Sequence, residues 1–177
     1  MKGRISLLFI LGVLLLGCAT PISEKNDAET PNAIAETEKS SFQGQMLPVE
    51  AQAIMGEETI DLEVTKTPQQ QALGLMFRES LPDNRGMLFR FDSPRLTQFW
   101  MKNVKMSLDM IFLRDGEIQA IAADVPPCTS DPCPTYGTNE LIDTVIELRG
   151  GRAAELGLRA GSRVTIEFLT PTTNNPN

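Results

Sequence analysis

The chain of 177 residues is 41% hydrophobic and 22% charged, and its 16 basic and 23 acidic side chains give a formal net charge of −7. This composition is that of an ordinary globular protein and excludes a collagen, a coiled coil and a wholly disordered chain. The acidic balance argues against a nucleic-acid partner, because such a protein needs a basic face. Histidine is absent, which excludes a Ser-His-Asp triad, a Cys-His pair and an H-E-x-x-H zinc site.

The first 17 residues have the pattern of an export signal. Two basic residues precede a mainly apolar run, 5–16, which is shorter than the roughly 20 residues that a membrane span needs. The run ends in L-L-G-C at 15–18, which resembles the lipobox of bacterial lipoproteins, where the cysteine is lipidated and becomes the first residue. We therefore predict a lipoprotein signal peptide over residues 1–17 and an acyl anchor on Cys18, since several acyl chains hold a protein stably on a membrane.

The anchor predicts an extracytoplasmic location on the cell envelope. Alanine, and not aspartate, follows the cysteine, which resembles lipoproteins on the periplasmic side of the outer membrane in two-membrane bacteria. After the cysteine, the segment 18–46 is poor in apolar residues and is interrupted by prolines, so we predict a disordered tether that spans roughly 30 Å. We predict a disordered tail over residues 170–177 for the same reason.

The remaining segment, 47–169, is long enough for one hydrophobic core, and we predict a single domain. Alternation of apolar and polar residues predicts a hairpin with strands at 49–55 and 59–65. Thr67-Pro68 predicts the N-cap and first residue of a short helix that ends near residue 75. Further strands are predicted at 87–91, 98–101, 109–113, 118–122, 143–148 and 163–168, and a second helix at 152–156.

The turn signal Arg114-Asp115-Gly116 separates two of these strands. Many short strands with two short helices predict an α+β domain. We expect it to be built on a curved, mainly antiparallel sheet or a partly closed barrel.

Five segments resemble the family called domain of unknown function 192, a small prokaryotic domain that is often exported. They are G-L-M-F-R at 74–78, F-W-M-K-N at 99–103, S-L-D-M-I-F-L at 107–113, V-I-E-L at 145–148 and G-L-R-A-G-S-R-V at 157–164. The resemblance covers about residues 48–169. It implies a compact, strand-rich α+β fold and brings no established activity, substrate, cofactor or catalytic residue.

Cys128 and Cys133 are the two thiols that remain after lipidation of Cys18. In an exported protein such a pair predicts a disulfide, here closing a loop of six residues. A redox-active pair is the alternative, although the spacing is not C-x-x-C. Two sulfurs without histidine cannot complete a tetrahedral zinc site, and we predict no metal and no cofactor.

The most concrete candidate for a ligand site is a group of polar side chains around the only tryptophan, Trp100. Arg78, Lys102 and Asn103 offer guanidinium, ammonium and carboxamide donors, and Asp109 can orient Lys102 or accept a ligand hydroxyl. If these side chains converge, they suit a small anionic or sugar-like ligand. In the alternative, Arg78 and Asp109 form a structural ion pair and the others are solvated surface.

The sequence therefore predicts an envelope lipoprotein that acts as a binding or accessory module for a small anionic or glycan ligand, with no protein partner identified. One alternative is a small envelope hydrolase with two carboxylates drawn from Asp92, Asp109, Asp124 and Asp143, because glycoside hydrolysis needs a carboxylate pair and no histidine. A structural or assembly lipoprotein is the other alternative, and it predicts an exposed apolar patch in place of a cleft.

Overall fold

The computed structural model describes residues 44–170, so the predicted signal peptide, Cys18 and most of the predicted tether and tail lie outside the described residues. In chain order the elements are β1 (Val49–Met55), β2 (Glu58–Thr65), α1 (Pro68–Leu73), β3 (Arg85–Arg95), β4 (Gln98–Trp100), β5 (Leu108–Arg114), β6 (Glu117–Val125), β7 (Thr135–Gly137), β8 (Ile142–Arg149), α2 (Arg152–Glu155) and β9 (Thr165–Phe168). Within this part of the chain, no helix has the length and hydrophobicity to span a membrane.

Seven strands form one mixed sheet in the order β6-β5-β8-β3-β2-β1-β9, and β4 and β7 form a separate two-stranded sheet. Neighbouring strands in the large sheet are antiparallel except β2 and β3, which are parallel and are connected through α1. A single bridge, Glu117 to Arg163, links β6 to the segment before β9, and this does not close a barrel. The domain is thus mainly β, with two short helices, so the α+β expectation is correct only in part.

Local sequence signals explain where two of these elements begin and end. The β5–β6 hairpin turns at Asp115 and Gly116, whose φ values of 51° and 77° are of the kind that a two-residue hairpin turn requires. At the start of α1, Thr67 accepts a hydrogen bond from the N–H of Gln70, and the Gln70 side chain accepts one from the N–H of Thr67. β7 was not predicted, because its three residues carry no strand pattern of their own and pair only with the distant β4.

The central strands are buried on both faces, so each face of the sheet has its own apolar core. On β8, Ile146 and Leu148 belong to one core, and Ile142 and Val145 belong to the other. Side chains that alternate along a strand point to opposite faces, so the part of a strand that is covered on both sides has no water-facing positions. An ionisable side chain in such a part must be neutralised within the protein.

Glu63 on β2 is neutralised by Arg78. The Arg78 Nη1 atom lies 2.9 Å from both Glu63 carboxylate oxygens, and both side chains are buried. Glu63 also accepts a hydrogen bond from the N–H of Leu47. The backbone at Gly44 lies against the Arg78 side chain, so closely that a Cβ atom at this position would lie 2.6 Å from Arg78 Cγ. The alternative in which Arg78 pairs with Asp109 is therefore wrong. Arg78 pairs with Glu63 instead, because β2 brings the Glu63 carboxylate to the guanidinium.

Asp109 on β5 is neutralised by backbone donors. Its carboxylate accepts hydrogen bonds from the N–H groups of Asp124, Gly151 and Ala153 at 2.7, 3.0 and 2.6 Å. Gly151 is the N-cap of α2 and offers no side chain to cap that helix. Asp109 thus acts as the cap for α2 from a neighbouring strand, which fixes the helix against β5.

We predict that Arg78→Met lowers the free energy of unfolding by about 3–5 kcal/mol, because it leaves the Glu63 carboxylate buried without its cation. Adding Glu63→Gln removes that charge while it keeps an acceptor for Leu47, so the double variant should recover most of the loss. Urea unfolding followed by circular dichroism measures both values. Lys105→Met is the matched control, since Lys105 pairs with Glu79 on the exposed surface and should change stability by less than about 1 kcal/mol. Equal losses in the single and double variants would contradict this account.

Candidate functional site

The five predicted ligand-binding residues do not lie in one cavity. Arg78 and Asp109 are 7% and 0% exposed, and both are engaged in the structural contacts described above. Neither side chain is available to a ligand in this structure. The geometry therefore assigns these two residues to the folding of the domain, and it leaves Trp100, Lys102 and Asn103 near the surface.

These three residues lie beside the disulfide loop. The predicted disulfide between Cys128 and Cys133 is present, with an S–S distance of 2.07 Å. Lys102 Nζ lies 3.3 Å from an oxygen of Asp131 in this loop and 5.7 Å from the centroid of the Trp100 ring. Lys102 and Asn103 line a shallow depression at the loop, whereas Trp100 lines a different cavity.

The cavity at Trp100 has a volume of about 250 Å³ and lies between α1 with the turn after it and strands β3 and β4. Four aromatic side chains form much of its wall, and the edge-to-face contact of Phe89 with Phe99, at 5.1 Å between ring centroids, holds two of them in place. The lining includes Leu75, Met76, Phe89, Phe91, Phe99, Trp100, Val104 and Glu147. Two segments that resemble the family, 74–78 and 99–103, thus meet at this cavity, and the Phe77 N–H donates to the Asn103 carbonyl oxygen at 2.8 Å.

Glu147 on β8 is the acidic residue of this cavity. Its backbone is opposite Met87 on β3 and Met110 on β5, both fully buried, so the Glu147 side chain lies between two methionines on one face of the sheet. Within residues 44–170, no donor lies within hydrogen-bonding distance of its carboxyl group. Among the described residues no fully buried side-chain oxygen lacks a partner, so the Glu147 oxygens reach the cavity surface.

Burial raises the pKa of Glu147 from its ordinary value of 4.5 to about 8. At neutral pH the group is therefore mainly a neutral carboxylic acid, which can donate one hydrogen bond and accept others. An ionisable group with a shifted pKa in a cavity is a common mark of a functional site. Glu147 was not among the residues predicted for the site, although an acid in the apolar run V-I-E-L was a signal that could have identified it.

The mouth of the cavity is polar. Arg95, Gln71 and Gln98 line it, and the Arg95 guanidinium lies 3.9 Å from the centroid of the Phe91 ring. Arg95 and Gln71 also line an adjoining groove of about 730 Å³, whose charged lining residues further include Lys66, Arg90 and Asp92, with Lys66 paired to Glu50. The outer part of the site therefore presents hydrogen-bond donors, while the inner part is aromatic and acidic.

The four aspartates considered for hydrolysis do not form a catalytic pair. Asp109 is buried and accepts three backbone N–H groups, and Asp143 accepts the N–H of Asp115. Asp92 and Asp124 are exposed on different strands. Among residues 44–170, no group of three or more acidic or cysteine side chains is placed to hold a metal ion.

We predict that Glu147→Gln removes a pH dependence of stability. The pKa of Glu147 is higher in the folded protein than in the unfolded chain, so the wild type loses stability as pH rises from about 5 to about 8. Relative to the variant, this loss should reach at most about 1.4 kcal/mol per pH unit. Urea unfolding at several pH values measures it, with the exposed Glu140→Gln as the control. A stability difference from wild type that stays constant with pH would contradict the shift.

Comparison with known proteins places the chain in a family. The family model described as DUF192, an uncharacterized ACR, matches residues 50–166. A crystal structure from Sinorhizobium meliloti 1021, assigned provisionally as a transcription regulator, is 31% identical with a TM-score of 0.59 and covers 66% of this chain and 91% of its own. A protein of unknown function from Novosphingobium aromaticivorans DSM 12444 is 32% identical with the same TM-score and covers 66% of this chain and 83% of its own. None of the curated proteins matches the sequence. The chain belongs to the domain of unknown function 192 family.

Proposed function

We propose that this chain is a lipid-anchored protein of the cell envelope whose domain binds a small organic ligand in the cavity at Trp100. The observation that carries the proposal is an open aromatic cavity whose lining holds Glu147, a carboxyl group without a partner in the described part of the chain. Ligand sites are concave and mainly apolar, with a few polar groups that fix orientation. Both kinds of group are present here, and Phe99, Trp100 and Glu147 lie on segments that carry the family resemblance.

The polar mouth supports an anionic or sugar-like group on the outer part of the ligand. Arg95 offers a guanidinium, and Gln71 and Gln98 offer carboxamides that donate and accept hydrogen bonds. A guanidinium binds carboxylates and phosphates through paired N–H donors. The aromatic ring of Trp100, which is 48% exposed, adds a flat apolar surface on which a sugar ring or an alkyl chain can pack.

The envelope location rests on the amino-terminal sequence and on the disulfide. The tetrapeptide at 15–18 resembles a lipobox, and the bond between Cys128 and Cys133 is of a kind that persists mainly in oxidising compartments outside the cytosol. The two observations are independent, because one concerns export and the other concerns the chemistry of the folded domain.

The alternative functions receive less support. The aspartates offered for hydrolysis are dispersed or already hydrogen-bonded, as described above. The exposed Trp100 lines the cavity, and the exposed Leu96 lies in sequence between the lining residues Arg95 and Thr97, so we assign this part of the exposed apolar surface to ligand contact and not to a flat assembly interface. A regulator function like the one assigned to the Sinorhizobium protein receives less support, because the net charge of −7 opposes binding to a polyanion.

We predict that a ligand of the cavity changes the fluorescence of Trp100 in a saturable way, because this is the only tryptophan in the chain and it lines the cavity. Glucose, glycerol phosphate and phosphocholine are suitable first probes. Ala72→Trp should weaken binding by at least about tenfold, since Ala72 lines the cavity on the exposed side of α1 and an indole there fills the space. Because this variant adds a second tryptophan, calorimetry measures its affinity.

Ala154→Trp on the exposed surface of α2 is the matched control, and it should bind as the wild type does. No saturable response to any of the three probes, or equal affinities in the two variants, would contradict ligand binding in this cavity.

We predict that the full-length chain, produced in a two-membrane bacterium, is found in the membrane fraction with acyl groups on Cys18. Cys18→Ser should move it to the soluble fraction, because one thiol carries the anchor. Mass spectrometry of the amino-terminal peptide and cell fractionation measure the two effects. A variant that lacks Cys128 and Cys133 is the control and should stay membrane-bound. An unmodified amino terminus that still carries Met1 would contradict the proposed location.

A further inference from the structure

The surroundings of the Glu147 carboxyl group indicate which chemical group enters the cavity. We infer that the cavity binds an organic ammonium ion, which places its positive charge against the Glu147 carboxylate and between the aromatic walls. This inference rests on the proposed ligand-binding function and names the class of ligand that the site takes.

The first argument is the contrast among the three buried acids of the domain. Glu63 is paired with Arg78, and Asp109 accepts three backbone N–H groups. Glu147 is 5% exposed and has neither kind of partner within residues 44–170. A buried carboxylate is costly unless it is paired. Since its oxygens open onto the cavity, a cationic ligand can supply the missing partner.

The second argument is the aromatic wall. Phe89, Phe91, Phe99 and Trp100 all line the cavity, and Phe89 and Phe99 are fixed by their edge-to-face contact. The face of an aromatic ring carries negative electrostatic potential and attracts an ammonium group, most strongly when water is excluded. A neutral polar ligand would gain less from this wall. The volume of about 250 Å³ suits a head group with few heavy atoms.

The charged side chains around Glu147 set the orientation of the ligand. Within the described residues, the elements that enclose the cavity contribute neutral side chains, apart from Arg95 at the end of β3. Arg95 packs on the Phe91 ring and is exposed, and Lys102, on the outer side of Trp100, is paired with Asp131. Both cations lie towards solvent, so a zwitterionic ligand would place its ammonium group inside and its anionic group at Arg95.

Binding of a permanent cation is then linked to loss of a proton from Glu147. The carboxyl group is mainly protonated in the free protein at pH 7 and must be ionised in the complex. From a pKa of about 8, about 0.9 proton is released per ligand at pH 7, and affinity rises about 50-fold between pH 6 and pH 8.

Choline is the probe of choice, because its charge does not change with pH. Its neutral analogue, in which carbon replaces the quaternary nitrogen, has nearly the same shape and serves as the control ligand. Titration of the full-length lipidated protein in a non-ionic detergent, by calorimetry in two buffers of different ionisation enthalpy, gives affinity and proton release together.

We expect choline to bind more tightly than the neutral analogue by at least about tenfold at pH 8, as a desolvated ammonium–aromatic contact with an added ion pair would predict. Glu147→Gln should abolish this preference and the pH dependence, and circular dichroism checks that the variant is folded. Arg95→Gln should weaken binding of phosphocholine without weakening that of choline.

Two results with the wild type would overturn the ammonium inference: equal affinity for choline and its neutral analogue, or choline binding that does not vary with pH. Both can be measured even if Glu147→Gln fails to fold. If either result were obtained, a response to glucose or glycerol phosphate that Ala72→Trp abolishes would still support ligand binding in the cavity. The failure of the inference and the failure of the proposed function are thus separate outcomes.

Discussion

Burial of the central sheet on both faces is the constraint on which this structure depends. Strands β5, β8 and β3 contribute apolar residues to two cores, so an acid in the buried part of these strands cannot reach bulk water. The domain neutralises its three buried acids in different ways. Arg78 pairs with Glu63, backbone N–H groups surround Asp109, and protonation keeps Glu147 neutral. The first two solutions stabilise the fold by linking distant segments, whereas the third leaves a carboxyl group whose charge a ligand can control.

The same packing creates the cavity. The turn after α1 and the segment after β4 approach each other, and the Phe77 N–H bonds to the Asn103 carbonyl oxygen. Both residues have positive φ values of 66° and 59°, which L-residues adopt rarely and at a conformational cost. This contact keeps segments 74–78 and 99–103 side by side over the sheet. Phe99 and Trp100 on the second segment line the cavity together with Phe89 and Phe91 of β3, and Glu147 is part of the same lining.

In the proposed ligand site, affinity would depend on pH through Glu147, the same residue whose ionisation lowers the stability of the fold. A carboxyl group with a raised pKa costs stability as it ionises, and an unpaired acid in a core is a defect unless something compensates for it. Unpaired polar groups of this kind are common in ligand sites, because a group whose hydrogen bonds are already made in the free protein cannot also bind a ligand. Glu147 is the clearest example in the described part of the chain.

The sequence determined the features that depend on near neighbours. These are the hairpin turn at Asp115 and Gly116, the N-cap at Thr67 and the mainly antiparallel strands, whose signals lie within a few residues of each other. The count of thiols that remain in an exported chain also predicted the pairing of Cys128 with Cys133. Only the tertiary structure decided which charges pair, because Glu63 and Arg78 meet through the order of the strands and not through their separation in sequence. The environment of Glu147 was decided in the same way, since only the packing of the sheet leaves this acid without a partner in the described residues and beside an open cavity, which is the basis of its proposed role in binding.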